Sequence, residues 1–137
     1  GNRNFNEPLD GIVYGVFVSL GFAWAENVIY VTHPILGGYE TALERALLSV
    51  PGHGLFGVRM GYYFALGKYR NRKRYLPLAF FSPYLAHALY NYFLLKREPV
   101  FWLFFSVLEV RLWVFGLKRI KELQNCSPFR EKVSKES

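Results

Sequence analysis

Three short blocks place polar, ionisable side chains inside otherwise apolar sequence. Glu26 lies in Gly21-Phe22-Ala23-Trp24-Ala25-Glu26-Asn27, His53 in Ser49-Val50-Pro51-Gly52-His53-Gly54, and His87 and Asn91 in His87-Ala88-Leu89-Tyr90-Asn91. A carboxylate beside imidazoles and a carboxamide can activate water as a general base, while amide or imidazole donors hold an oxyanion. Two His and one Glu could also bind zinc with three protein ligands, although the sequence contains no HExxH. Ser49 and Ser82 are available, but neither sits in a nucleophile motif. A single cysteine, Cys126, excludes an intramolecular disulfide and a Cys-rich zinc site.

Spacing ties these groups to helix faces. His87 and Asn91 stand four residues apart, one above the other on one face. Gly11, Gly15, Ser19, Phe22, Ala23 and Glu26 follow one another at helical spacing, and Gly11 and Gly15 form a GxxxG that admits a neighbouring backbone. Glu26 is therefore expected on a protein-packed face, with Asn27 as a second polar group beside it. Gly57 and Gly61 form another GxxxG on the face of His53. Pro51, flanked by glycine, predicts a kink or break at the 51–54 block.

The elements that carry these faces are apolar all round. Residues 75–95 hold no Asp, Glu, Lys or Arg, and a helix of that length reaches about 31 Å, enough for a hydrocarbon layer of roughly 30 Å. Residues 10–32 are apolar apart from Glu26, residues 42–66 apart from Glu44, Arg45 and Arg59, and residues 99–117 apart from Glu109 and Arg111. A chain of 137 residues cannot enclose four such helices within other layers. The expected fold is all-α: a polytopic membrane helix bundle of about four spans over residues 1–118, followed by a basic, disordered tail over 119–137. Ionisable residues within spans are costly and mark function. Arg59 is one such residue, and its expected partner is Glu26 or Glu109.

The net charge of +7, from 17 Lys and Arg against 10 Asp and Glu, is concentrated at connections. The run Lys68-Tyr69-Arg70-Asn71-Arg72-Lys73-Arg74 holds five positive charges, and the tail from Lys118 holds six positive and three negative. Between apolar segments such a run reads as topology rather than nucleic-acid binding, and positive residues stay cytoplasmic. The expected arrangement is a multi-pass protein of the cell membrane in contact with lipid, with the N-terminus, the 68–74 loop and the C-terminus cytoplasmic. Glu26, His87 and His53 then fall about 9, 12 and 16 Å from the outer ends of their segments at 1.5 Å per residue, with Asn91 one turn above His87. Agreement in depth points to one buried polar site in the outer half.

Taken together, Glu7-Pro8-Leu9-Asp10-Gly11-Ile12-Val13-Tyr14-Gly15, Leu20-Gly21-Phe22-Ala23-Trp24-Ala25-Glu26-Asn27, Pro51-Gly52-His53 and His87-Ala88-Leu89-Tyr90-Asn91 resemble the PrsW-type intramembrane proteases. That group is similar to the CAAX-type prenyl endopeptidases, in which a glutamate activates water. The resemblance implies a glutamate-type endopeptidase with no required cofactor, cutting a single-span membrane protein such as an anti-sigma factor near the outer face. It implies that Glu26, His53, His87 and Asn91 are catalytic, with Asn27 and Phe22 against the substrate and no metal ligand. It also implies a Glu-Glu pair ahead of the block at Glu7. These residues do not include that pair, so a piece of a larger enzyme is expected. A zinc-dependent hydrolase using the same residues and a non-catalytic membrane scaffold are the alternatives.

Overall fold

A computed structural model describes residues 5–35, 37–70, 73–96 and 98–128. The described chain is helical throughout: α1 (Pro8–Thr32), a short α2 (Tyr39–Glu44), a π-helical turn (Arg45–Ser49), α3 (Val50–Tyr69), α4 (Tyr75–Lys96) and α5 (Pro99–Asn125). Helices α1 and α5 have a local reason to start where they do. Pro8 and Pro99 occupy first-turn positions, where a missing N–H is harmless. Glu7 and Asp10 cap α1 reciprocally, with Asp10 accepting from the Glu7 N–H at 2.9 Å.

Helix α3 is the hub, packed against α1, α4 and α5. Its seam with α1 is made of backbone. An added Cβ at Gly15 would lie 2.5 Å from the Gly57 carbonyl oxygen, and one at Gly11 would lie 2.8 Å from that of Gly61. The two GxxxG motifs thus face each other in antiparallel register. Each four residues up α1 meet four residues back along α3: Gly11 meets Gly61, Gly15 meets Gly57, and Ser19 donates to the His53 carbonyl at 2.6 Å. That register decides which residues of α3 and the preceding turn can reach Glu26.

The irregularity expected at the 51–54 block lies one turn earlier. Pro51 removes a donor and its ring crowds the carbonyl four residues back, so the strain falls upstream of the proline. There the turn widens, and the Val50 N–H bonds the Arg45 carbonyl five residues back. Gly52, His53 and Gly54 continue as regular helix. Gly52 makes room for α4, since a Cβ there would sit 2.9 Å from Tyr90 Cζ.

The exterior is apolar. Phe17 and Trp24 on α1 are 70% and 72% exposed, and Phe80, Phe81, Leu103 and Val114 also face outward. A contiguous surface of this kind suits lipid rather than water. α1 and α5 are long and apolar enough to cross a membrane. Contrary to the emphasis the sequence places on residues 75–95, α4 does not reach the same hydropathy. It carries no Asp, Glu, Lys or Arg before Lys96, yet four tyrosines, two prolines, Ser82, His87 and Asn91 dilute it. α5 runs on to Asn125, so residues 119–125, expected within the disordered tail, are helical; residues 129–137 lie outside the described residues.

The start of α1, the end of α3 and the end of α5 share one end of the bundle. Lys68 Nζ donates to the Phe5 carbonyl at 2.9 Å, Tyr62 reaches Glu122 at 3.3 Å, and Ser127 donates to Glu7. The polar cluster lies toward the other end.

Candidate active site

Glu26 from α1, His53 from α3 and His87 from α4 converge on one point. His53 Nε2 lies 3.0 Å from Glu26 Oε2, and His87 Nε2 lies 3.6 Å from Glu26 Oε1. The two imidazole rings are 4.8 Å apart, centroid to centroid. Asn91, one turn beyond His87, contacts His87 Nε2 through Nδ2 at 3.0 Å. Glu26, His53 and His87 are therefore in mutual reach, and Asn91 joins them through His87. His53 is almost fully enclosed, its side chain 4% exposed, while that of His87 is 21% exposed and so is the approachable member.

Aromatic rings fix the imidazoles from the sides. Phe56 lies 5.7 Å from His53 and 5.4 Å from His87, and Phe22 lies 5.8 and 6.0 Å from the same two rings. Beside them opens an apolar pocket of about 220 Å³, lined by α1, α3 and α4, with the exposed Phe80 and Tyr84 at its rim. Phe22 and both histidines line it, together with Met60, Phe80 and Tyr84. It is large enough for an apolar side chain and lies directly beside the polar cluster.

Arg45 was not singled out by sequence reasoning, and it completes the site. Its Nη2 lies 2.7 Å from Glu26 Oε2, its Nε donates to Asn27 Oδ1 at 2.6 Å, and its guanidinium sits 4.1 Å from the Tyr30 ring centroid. The expected role of Arg59 as partner of Glu26 or Glu109 is corrected: Arg59 donates to Ser82 Oγ and stacks 4.7 Å from Phe115. Glu109 instead accepts from Trp113 Nε1 at 3.0 Å. The π-turn explains the exchange. One extra residue rotates everything before it by roughly 100° about the helix axis, which brings Arg45 round to α1. Asn27, expected against substrate, is engaged by Arg45 through its carbonyl oxygen. Two further side chains hold the frame: Ser19 on the His53 carbonyl, and Tyr90, whose hydroxyl donates to the Leu48 carbonyl at 2.8 Å.

The donor set also suits a divalent ion. One ligand atom each from Glu26, His53 and His87 lie within 4.8 Å of one another, against a ligand spacing of about 3.3 Å around tetrahedral zinc with bonds of 2.0–2.1 Å. Small side-chain rotations would close that difference.

An apolar-faced helical bundle with a carboxylate–imidazole cluster between three of its helices is the architecture of a membrane protein. Residues 1–116 match the family described as PrsW family intramembrane metalloprotease, and the chain belongs to that family. Among its relatives, the Protease PrsW of Geobacillus kaustophilus is 42% identical over 121 residues, covering 86% of this chain and 52% of the relative. That of Bacillus subtilis is 39% identical over 128 residues, covering 90% and 56%, and that of Clostridioides difficile 32% over 130, covering 91% and 55%. The chain thus spans about half the length of the curated relatives it matches. No solved structure matches it.

Proposed function

We propose that this chain carries the hydrolytic centre of an intramembrane endopeptidase that cuts a single-span membrane protein, an anti-sigma factor being the expected type. The observation that supports this most is the convergence of Glu26, His53 and His87 beside an apolar pocket. Peptide hydrolysis needs a base for water, donors for the oxyanion and a proton for the leaving amine. Glu26 Oε2 is engaged by Arg45 and His53, which leaves Oε1, on the His87 side, to accept the proton of an attacking water. The water oxygen bonds to the carbonyl carbon, the carbonyl oxygen takes negative charge, and the held proton passes to the departing nitrogen as the C–N bond breaks. With His87 Nε2 accepting from Asn91 Nδ2, the donors for that oxyanion are the His87 Nδ1–H and the second N–H of the Asn91 amide. Phe22 and the pocket hold the apolar side chain next to the cut.

The same three side chains would hold a zinc ion, whose chemistry is to lower the pKa of a bound water and polarise the carbonyl. The metalloprotease in the family's description favours this second reading. The Arg45 guanidinium, 2.7 Å from Glu26 Oε2, stands against a metal ion there, because Arg45 and His53 already occupy that oxygen and a second cation beside the guanidinium would be repelled.

The membrane arrangement follows the charges. α1, α3, α4 and α5 are the four spans, with the N-terminus, the 68–74 loop and the C-terminus cytoplasmic. Glu26 lies six residues from the end of α1 and His87 nine from the end of α4, roughly 9 and 14 Å below the outer ends. The test is reconstitution of the full-length protein in liposomes with a tagged single-span reporter and sequencing of the product ends. A cut in the outer half of the reporter's span is expected. An intact reporter, bound but uncut, would make the protein a scaffold.

A further inference from the structure

Two arginines have no part in the site just described. Arg59 on α3 and Arg111 on α5 both line a second cavity, of about 630 Å³, open to the surface and lined by α3, α4 and α5. It lies on a different face of α4 from the candidate active site: Leu78, Ser82, Leu85 and Leu89 border it, whereas Phe80, Tyr84 and His87 face the other pocket. Arg59 is the tenth of the 20 residues of α3, and Arg111 the thirteenth of the 27 of α5. Counted from the outer side, Arg111 lies about 18 Å along α5 from Pro99 and Arg59 about 9 Å along α3 past His53, so both fall near the middle of the layer. Among the described residues neither has a carboxylate partner. Arg59 has only the Ser82 hydroxyl and the Phe115 ring, and Glu109, two positions from Arg111, is turned to Trp113 and does not line the cavity.

Cationic side chains at the middle of spans face protein or water and pair with a counter-group. We propose that this cavity receives a further transmembrane helix, and that an Asp or Glu near the middle of that helix pairs with Arg59 and Arg111. The position favours a helix over a lipid headgroup, because headgroup phosphates lie about 15 Å from the centre of a 30 Å hydrocarbon layer. The cavity's length suits one face of a helix. The cavity runs along α4 from Leu78 to Leu89, about 16 Å or three turns, with apolar walls and the two guanidinium groups. Polypeptide is available to fill it: nearly half of each curated relative lies outside the region matched here, and that part is the expected source of the helix.

The test is site-specific photo-crosslinking of the full-length protein in its own membrane, with p-benzoylphenylalanine in place of Leu85 on the cavity rim. Phe17, on the lipid face of α1, takes the same probe as control. A crosslink from position 85, absent from position 17, to an apolar segment with a central Asp or Glu is expected. Replacing that acid by its amide, or replacing both arginines (R59Q with R111Q), should lower the crosslink yield at least tenfold at equal protein abundance. Exchanging the charges, with the acid made Arg and both arginines made Glu, should restore it. Adducts to lipid alone, a captured segment without a central acid, or a yield indifferent to the arginines would each overturn the proposal. If the arginine variants fail to accumulate, the crosslink in the wild-type background decides by the identity of the captured segment.

Discussion

Replacing Arg45 by Ala leaves the Glu26 carboxylate, whose side chain is 14% exposed, without the guanidinium 2.7 Å away. Removing one partner of a buried ion pair costs about 3–5 kcal/mol, because the surviving charge stays desolvated. The contacts to Asn27 and Tyr30 are lost as well. E26Q removes the charge from the other side, so the double variant R45A/E26Q carries no unpaired ion. A double-mutant cycle on unfolding of the bicelle-reconstituted protein, followed by tryptophan fluorescence, should therefore give a coupling energy of about 2 kcal/mol or more, whereas independent sites add within ~0.5 kcal/mol. R45K keeps the charge but cannot reach both Glu26 and Asn27, and should lose about 1.5–3 kcal/mol, the worth of one charge-assisted hydrogen bond. Reporter cleavage should fall on the order of a hundredfold in R45A, the penalty of a reacting group displaced by about 1 Å. Additive stabilities, or an R45A enzyme that cuts at the normal rate, would refute Arg45 as the residue that positions Glu26.

Further outcomes follow from the same geometry. G15A should destabilise the protein and abolish cleavage, since its Cβ would meet the Gly57 carbonyl oxygen at 2.5 Å, whereas G21A, with nothing within 4 Å, should be silent in both assays. P51A restores the missing donor and lets the π-turn relax to regular helix. Arg45 then rotates away from Glu26, and reporter cleavage should drop at least tenfold while the protein stays abundant, an outcome a merely loop-like Pro51 would not give. With Glu26 activating water directly, prolonged chelation should leave cleavage unchanged and elemental analysis should find no stoichiometric zinc. One zinc per chain, lost in H87A, would replace that mechanism with the metal-held one.

Much of the site was legible because polar groups are so conspicuous in apolar sequence. Glu26, His53, His87 and Asn91 stood out by type, and their shared depth followed from counting residues along helices. The facing of the two GxxxG motifs was also implicit in their spacing. Arg45 was not legible, because its direction depends on a single inserted residue in the turn before Pro51, and the sequence alone shows no phase. Arg59 looked the better partner for Glu26 because it lies deeper in an apolar stretch, but the antiparallel register of α1 on α3 puts it more than a helical turn past His53. The helix through 119–125 was missed because Lys118, Arg119, Lys121 and Glu122 read as solvent tail. Arg119 and Glu122 in fact pair at 2.5 Å along the helix surface, and Leu123 is buried against α3.

The most direct measurement of a single composite site is reporter cleavage by the full-length protein carrying H53A, H87A or both. Each single change should abolish cleavage at unchanged membrane abundance, and the double should look no different from either, as groups acting in one unit do. Normal cleavage by either single variant would mean that the imidazoles, though 4.8 Å apart, do not serve one reaction.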